Sequence, residues 1–396
     1  MAGTDEYISL RKKQADKLSK RFKRMRIFPI RKKKIVFSSF EGDGGFCCNP
    51  RYIAEELHRR LPDCKMIWLV KDTSKEFPDY IKPVKYTERN IAYHLSTAHI
   101  WVDNYRKPLG TLKRKGQIYL QTWHASLGFK AVGLFRGDAF PEIARLVSEW
   151  DSNLIDYMLS NSEYCDRIYP KKLLYNGPTL RVGSPRVDCL INNKKELRER
   201  IRRIHNIDKD TRLLLYAPTF RGGNQSGQKQ VVAPMPSVDF DRLLNALSIS
   251  FGGEWKVLLR LHPQLAAKMD EMPLPKHDAR LIDVSHDADI SEVMGGCDAV
   301  LTDYSSCAFD AAFAGIPVFL YADDVEEYVK NRGKFMWEKG ELPFNMAETN
   351  QELFTAVCKF ELSEYRENIA AWMHKHGIVE DGYASSKCVD FLEKYL

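Results

Sequence analysis

The sequence predicts an α/β protein with two doubly wound parallel sheets, preceded by a basic helical extension. Three observations predict it. Short apolar runs ending in turn residues alternate with amphipathic stretches, the pattern of βαβ units. That series occurs twice, on either side of a strongly charged helix over 194–205. The 396 residues suffice for two domains of ~150 residues and an extension.

The extension comes first. Residues 7–29 can be helical, since they contain no Gly and no Pro before Pro29. Leu10, Leu18, Phe22, Met25, Ile27 and Phe28 supply apolar positions among Lys and Arg. Residues 1–34 hold 13 Lys or Arg against three acids, a net +10; the whole chain is +7, so the remainder is −3. A basic amphipathic helix of this kind lies on an anionic membrane or packs on the body as a solvated helix. Nucleic acid is the weaker partner, because the body is acidic and carries no recognised nucleic-acid motif. Leu18, Phe22, Met25 and Phe28 are expected to insert shallowly into lipid.

In the first unit the predicted strands are 35–40, 65–70, 99–102, 117–122, 157–160 and 179–182. Helices are predicted at 50–60 and 91–98, and a Gly-rich turn at 41–46. In the second, strands are predicted at 212–217, 255–260, 280–284, 299–302 and 317–321, with helices at 240–250, 290–295 and 306–314. Residues 226–237, rich in Gly, Gln and Pro, read as a loop. The expected domains are 1–32, 33–193 and 194–362, with helices over 363–396 crossing back to the first unit. Two such units facing each other make a cleft, and ligands bind at the C-terminal ends of parallel strands.

Composition narrows the class. Hydrophobic residues at 44% and charged residues at 29% exclude bulk disorder, collagen and a disulfide mini-scaffold. No run approaches the ~20 apolar residues of a membrane span. The longest apolar-looking stretch, 297–321, is broken by Asp298, Asp303 and Asp310. The start lacks the layout of a secretory signal, so a cytoplasmic location is expected. The nine cysteines form no CxxC pair and read as reduced core residues, with no metal site.

Polar motifs fall at strand ends. Ser305 and Ser306 begin a helix, where two hydroxyls either bind a phosphate or cap the helix. Thr219 and Arg221 add a hydroxyl and a guanidinium able to meet the same anion. His262, before Pro263, closes an apolar strand at the sheet edge. His124, between Trp123 and a Gly-containing turn, is suited to act as a general base toward an acceptor hydroxyl. There is no HExxH, Walker A, GxSxG or DxD, so metal-assisted hydrolysis and P-loop chemistry have no support.

Taken in order, QTWHASLGFK (121–130), SNSEY (160–164), GSPRVD (183–188), YAPTFR (216–221), LRLHP (259–263), DVS (283–285), LTDYSSCAFDAA (301–312), the 321–332 segment and DGYAS (381–385) resemble the CDP-glycerol glycerophosphotransferase family. The resemblance covers roughly residues 33–390. It implies a GT-B-like fold, a nucleotide site in the second unit and a base in the first. His124 is similar to the family's catalytic His, His262 to its second essential His, and Ser305 and Ser306 to its pyrophosphate-binding serines. Donor contacts are then expected from Thr219, Arg221, Arg260, Asp283, Ser285, Asp303, Ser305 and Ser306. Gly44, Asn49, Trp123, Ser126 and Arg186 are expected to line the acceptor side. Where the family often has Trp-His-Gly-Thr, this chain has Trp-His-Ala-Ser at 123–126.

The implied reaction moves glycerol phosphate from CDP-glycerol to a lipid-linked or polymeric acceptor, releasing CMP, in teichoic acid or capsule synthesis. It uses no cofactor or metal and takes place at the inner face of the cell membrane. CDP-ribitol as donor, or a nucleotide-sugar glycosyltransferase of the same fold, are the alternatives.

Overall fold

The computed structural model describes residues 2–219, 237–261, 278–287, 289–338 and 340–396. Arg221, His262 and nearly all of the predicted loop 226–237 lie outside them. The chain divides into two units. The first comprises Met1–Ser126, Val132–Asp188 and His376–Leu396; the second comprises Leu127–Ala131 and Cys189–Lys375.

Among the described residues the first unit holds seven parallel strands. They are β1 (Arg31–Ser38), β2 (Lys65–Val70), β3 (Ile81–Lys85), β4 (Ala98–Asp103), β5 (Ile118–Gln121), β6 (Tyr157–Ser160) and β7 (Thr179–Arg181), in the order β3-β2-β1-β4-β5-β6-β7. A parallel sheet covered on both faces needs runs that are apolar throughout. Ile35-Val-Phe37 in β1 and Ile67-Trp-Leu-Val70 in β2 supply them, all fully buried. β1 starts four residues earlier than its apolar run. Its Lys34 is buried, donating to Thr97 Oγ1 at 2.5 Å and lying 5.0 Å over the Tyr93 ring, and burial pulls its pKa down to about 7. β3 was not expected from the sequence: its Ile-Lys-Pro-Val-Lys pattern suits only a sheet edge, where Pro83 costs no ladder bond.

Helices α1 (Ala2–Met25), α2 (Cys48–Arg60), α3 (Glu88–Thr97), α4 (Glu142–Ser152), α5 (Glu163–Lys172) and α6 (Pro185–Asn192) belong largely to this unit. Side chains start two of them: Thr87 Oγ1 accepts from Asn90 N, and Ser162 Oγ accepts from Cys165 N. α1 is helical as expected but seated on the body. Ile8, Ala15, Leu18 and Phe22 form one buried stripe packed toward α3. This corrects the expectation for Leu18 and Phe22, which are spent on the protein's own core and are not available to lipid. Phe28 is 38% exposed and Met25 half-buried.

The second unit has β8 (Arg212–Tyr216), β9 (Trp255–Leu259), β10 (Leu281–Asp283), β11 (Ala299–Thr302), β12 (Val318–Tyr321) and β13 (Met346–Ala347), in the order β10-β9-β8-β11-β12-β13. Every pairing is parallel. Its described helices are α7 (Lys194–Ile204), α8 (Phe240–Phe251), α9 (Ile290–Gly295), α10 (Cys307–Phe313), α11 (Val325–Arg332), α12 (Asn350–Cys358) and α13 (Leu362–His376). Gly377, with φ +62°, ends α13; a Cβ there would stand 2.5 Å from Glu163 Cγ. α14 (Ala384–Glu393) then buries Cys388, Val389 and Leu392 against Ile53 and Leu57 in the first unit's core. In both sheets the order reverses beside the first strand, between β1 and β4 and between β8 and β11. Such reversals are where open α/β sheets place their ligands.

Candidate functional site

In the first unit the site grows from the end of β5. Thr122 N donates to Asp103 O at 2.7 Å, so the chain leaves the sheet beside the end of β4. Trp123 then takes the left-handed conformation, φ +51°, which is uncommon for a large residue. Gln121 holds it there. Its Oε1 accepts from Trp123 N at 2.9 Å, and its Nε2 donates to Tyr105 O and the Tyr119 hydroxyl.

This turn directs His124 to the β1/β4 reversal. Its ring lies among Phe40, from the loop after β1, Tyr105, from the loop after β4, and Trp123, with centroids 5.4, 5.7 and 4.6 Å away. Nδ1 is 2.9 Å from Asn104 O. A carbonyl only accepts, so Nδ1 carries the proton and Nε2 the lone pair. Burial pushes the imidazole pKa down to about 4, and the cations Arg186, Lys172 and Arg106 push the same way against the Asn104 bond. The result is a neutral imidazole, the form a base requires.

The residues expected on the acceptor side gather around this loop. Asn49 and Arg186 are buried beneath it: Asn49 Nδ2 donates to Trp123 O at 3.1 Å, and Arg186 donates from Nη1 to His124 O and from its backbone N to Asn49 Oδ1. Trp123 and Ser126 are themselves 8% and 5% exposed. Gly44 belongs to the turn bearing Phe40, where a Cβ would come within 2.6 Å of Ser39 Oγ. Sequence reasoning missed Asn104, Gln121 and Lys172. The cluster Asp103-Asn-Tyr-Arg-Lys107, closing an apolar strand, was the available signal.

In the second unit four strand ends carry the expected donor residues. Asp303, after β11, accepts from Thr219 N, after β8, at 2.9 Å, and from Tyr304 N. Arg260, after β9, donates Nη1 to Val284 O and Asp287 O. Ser285 Oγ accepts from Leu261 N at 2.9 Å, and Asp283 Oδ1 from Ser285 N at 2.8 Å. Asp303, Arg260 and Ser285 therefore tie adjacent strand ends together, while Asp283 holds the turn that follows its own strand. Ser305 and Ser306 are half-buried. The Ser306 side chain makes no capping hydrogen bond, and Ser305 Oγ accepts from Cys307 N at 3.5 Å. Among the described residues no group of three or more His, Cys, Asp or Glu could hold a metal ion, and no helix is long and apolar enough to cross a membrane.

Residues 20–394 match the family model described as CDP-Glycerol:Poly(glycerophosphate) glycerophosphotransferase. The chain belongs to this glycerophosphotransferase family. The resemblance read from the ordered motifs is thereby borne out. Among relatives of the chain, a teichoic acid poly(glycerol phosphate) polymerase of Staphylococcus epidermidis is 29% identical over 377 residues, which are 92% of this chain and 51% of that protein. The chain thus spans about half that relative's length. A teichoic acid glycerol-phosphate transferase of Staphylococcus aureus is 30% identical over 371 residues, 90% of this chain and 92% of that one. A solved structure of the wall teichoic acid polymerase TagF, a histidine variant soaked with CDPG, aligns with TM-score 0.77 and 27% identity over 92% of this chain and 89% of that chain.

Proposed function

We propose that the chain transfers glycerol phosphate from CDP-glycerol to a hydroxyl of a membrane-associated acceptor, releasing CMP, in teichoic acid or capsular polymer synthesis. The observation that carries this reading is His124, neutral, with Nδ1–H held by the Asn104 carbonyl and Nε2 left as the base. Nε2 takes the proton of the acceptor hydroxyl as its oxygen attacks the phosphorus bearing glycerol. The bond from that phosphorus to the CMP oxygen breaks, and a phosphodiester forms. Ser305 and Ser306 are the hydroxyls offered to the diphosphate, on a frame set by Thr219, Asp303 and Arg260. Arg221 and His262 complete the donor set in this reading. Fixed donors at a phosphoryl group stabilise the charge that develops on its oxygens. Glycerol is preferred over ribitol as the polyol because the family model and both relatives named above are glycerol-phosphate proteins.

The membrane reading rests on α1. Lys12, Lys13, Lys17, Lys20, Lys23 and Arg24 are exposed, as are Leu10, Ile27 and Phe28. Each cation near an anionic leaflet contributes ~1 kcal/mol.

Mass spectrometry of products from CDP-glycerol, CDP-ribitol and a UDP-sugar with lipid-linked acceptors tests the activity. Glycerol-phosphate addition with CMP release is expected. His124→Ala should lower kcat ~10²-fold or more with KM for CDP-glycerol nearly unchanged. UDP release from the sugar donor, with no CMP from either CDP-polyol, would refute the assignment.

A further inference from the structure

Five consecutive carbonyls around His124 each accept from a side chain of another part of the first unit. Asn49 Nδ2, from α2, reaches Thr122 O at 3.4 Å and Trp123 O at 3.1 Å. Arg186 Nη1, from α6, reaches His124 O. Lys172 Nζ, from the last turn of α5, donates to Ala125 O at 2.9 Å and Ser126 O at 2.7 Å. Cys165 Sγ adds a 3.2 Å contact to Ser126 O.

Lys172 is the unusual member. It is 3% exposed, and among the described residues its ammonium has no carboxylate partner, only these two carbonyls. Burying a cation without a counter-ion is costly, and a surface lysine would avoid that cost. Its own backbone is held as well. Gly133, φ +61°, packs so closely on the end of α5 that a Cβ would stand 2.3 Å from Lys172 O.

We propose that Lys172 is a positioning residue for the transfer reaction: with Asn49 and Arg186 it clamps the Thr122–Ser126 main chain, so that the His124 imidazole is presented in one orientation. The proposal rests on the reading of His124 as the base. Lys172 also acts electrostatically. The charged groups around the imidazole are Arg186 from α6, Lys172 from α5 and Arg106 from the loop after β4, and each opposes its protonation. The titratable groups that interact with Lys172 are His124 and, on its own helix, Cys165, and burial pulls the ammonium down to about 8.

The test compares full-length wild type with Lys172→Met, Lys172→Arg and His124→Ala, using CDP-glycerol and a lipid-linked acceptor across pH. Lys172→Met should lower kcat ~10–100-fold, as loss of an outer positioning partner does, with KM for CDP-glycerol within about twofold. Its acid limb in kcat/KM should move up by ~1 pH unit, because a nearby cation is gone. Lys172→Arg, which keeps the charge, should hold the limb at the wild-type position. If Lys172→Met does not fold, Lys172→Gln replaces it with the same readouts. Wild-type kcat and an unmoved acid limb in the uncharged variant, even with a lower melting temperature, would make Lys172 purely structural and overturn the proposal. A fully active His124→Ala would instead sink the base reading itself, so the two failures are distinguishable.

Discussion

The neutral state of His124 has a kinetic signature. An ordinary histidine gains its proton near pH 6.5. Here burial and three cations hold that event down to about 4. Because only the unprotonated imidazole accepts a proton, kcat/KM should stay level from pH 7 to about 5 and fall only below that. A limb centred near 6.5 in the rate profile of the free enzyme would contradict the buried, cation-flanked geometry. The same depression has a stability sign. Between about 4 and 6.5 the unfolded chain binds a proton at this position that the folded chain refuses, so this group's contribution to stability falls as pH drops through that window. A second expectation concerns the carboxylates at the donor end. Asp303 is occupied by two backbone N–H groups and Asp283 by one. Transfer should therefore persist in EDTA; loss of activity with rescue by Mg²⁺ would assign these carboxylates to an ion instead.

Helix α1 owes its seat to a close approach. Gly110, φ +93°, meets it so tightly that a Cβ would lie 2.2 Å from the Ala15 carbonyl oxygen, while Ser19 Oγ donates to Gly110 O at 2.8 Å. Gly110→Ala should lift the helix. Phe22, fully buried, contributes about 1.5–3 kcal/mol by its burial. Limited proteolysis checks this: cleavage among the Lys and Arg residues of 11–26 should be much faster in the variant. Most elements were legible in the sequence for one reason, that a parallel strand covered on both faces is apolar end to end. Thus 157–160 and 299–302 coincide with β6 and β11. What the sequence hid follows from the same rule. The start of β1 is charged, β3 is a Pro-containing edge, and β13 is two residues long. His124 was legible because it ends a strand. Lys172 was not, since a lysine in the last turn of a helix is ordinarily a solvated partner of the helix dipole, and only the folded chain brings it to Ala125 and Ser126.

For the molecule as a whole, the distribution of charge predicts where it attaches. Deleting residues 1–30 would uncover the surface that Leu18 and Phe22 cover, so truncation mixes lost charge with lost stability. Reversing exposed charges separates them. Wild type should co-sediment with phosphatidylglycerol vesicles at 0.1 M salt and much less at 1 M, as the Debye length falls from ~10 to ~3 Å. A variant with Lys12, Lys13, Lys20 and Lys23 changed to Glu should sediment poorly at both while keeping its melting temperature. Sedimentation equal to wild type would remove α1 as the anchor.

The route of the chain also sets a timetable. α14 fills the first unit's core, yet its residues 384–393 follow the whole of the second unit in sequence. At ~5–20 residues per second, a ribosome that has finished Asp188 needs about 10–40 s more to reach Leu392. Throughout that interval the nascent first sheet keeps bare the apolar surface that Cys388, Val389 and Leu392 will cover. The second unit, apart from 127–131, arrives as one continuous stretch and can close while translation continues. Ribosome-bound chains stalled near residue 370 should therefore carry a protease-sensitive, chaperone-binding N-terminal half, and the part of the protein made first is the part that matures last.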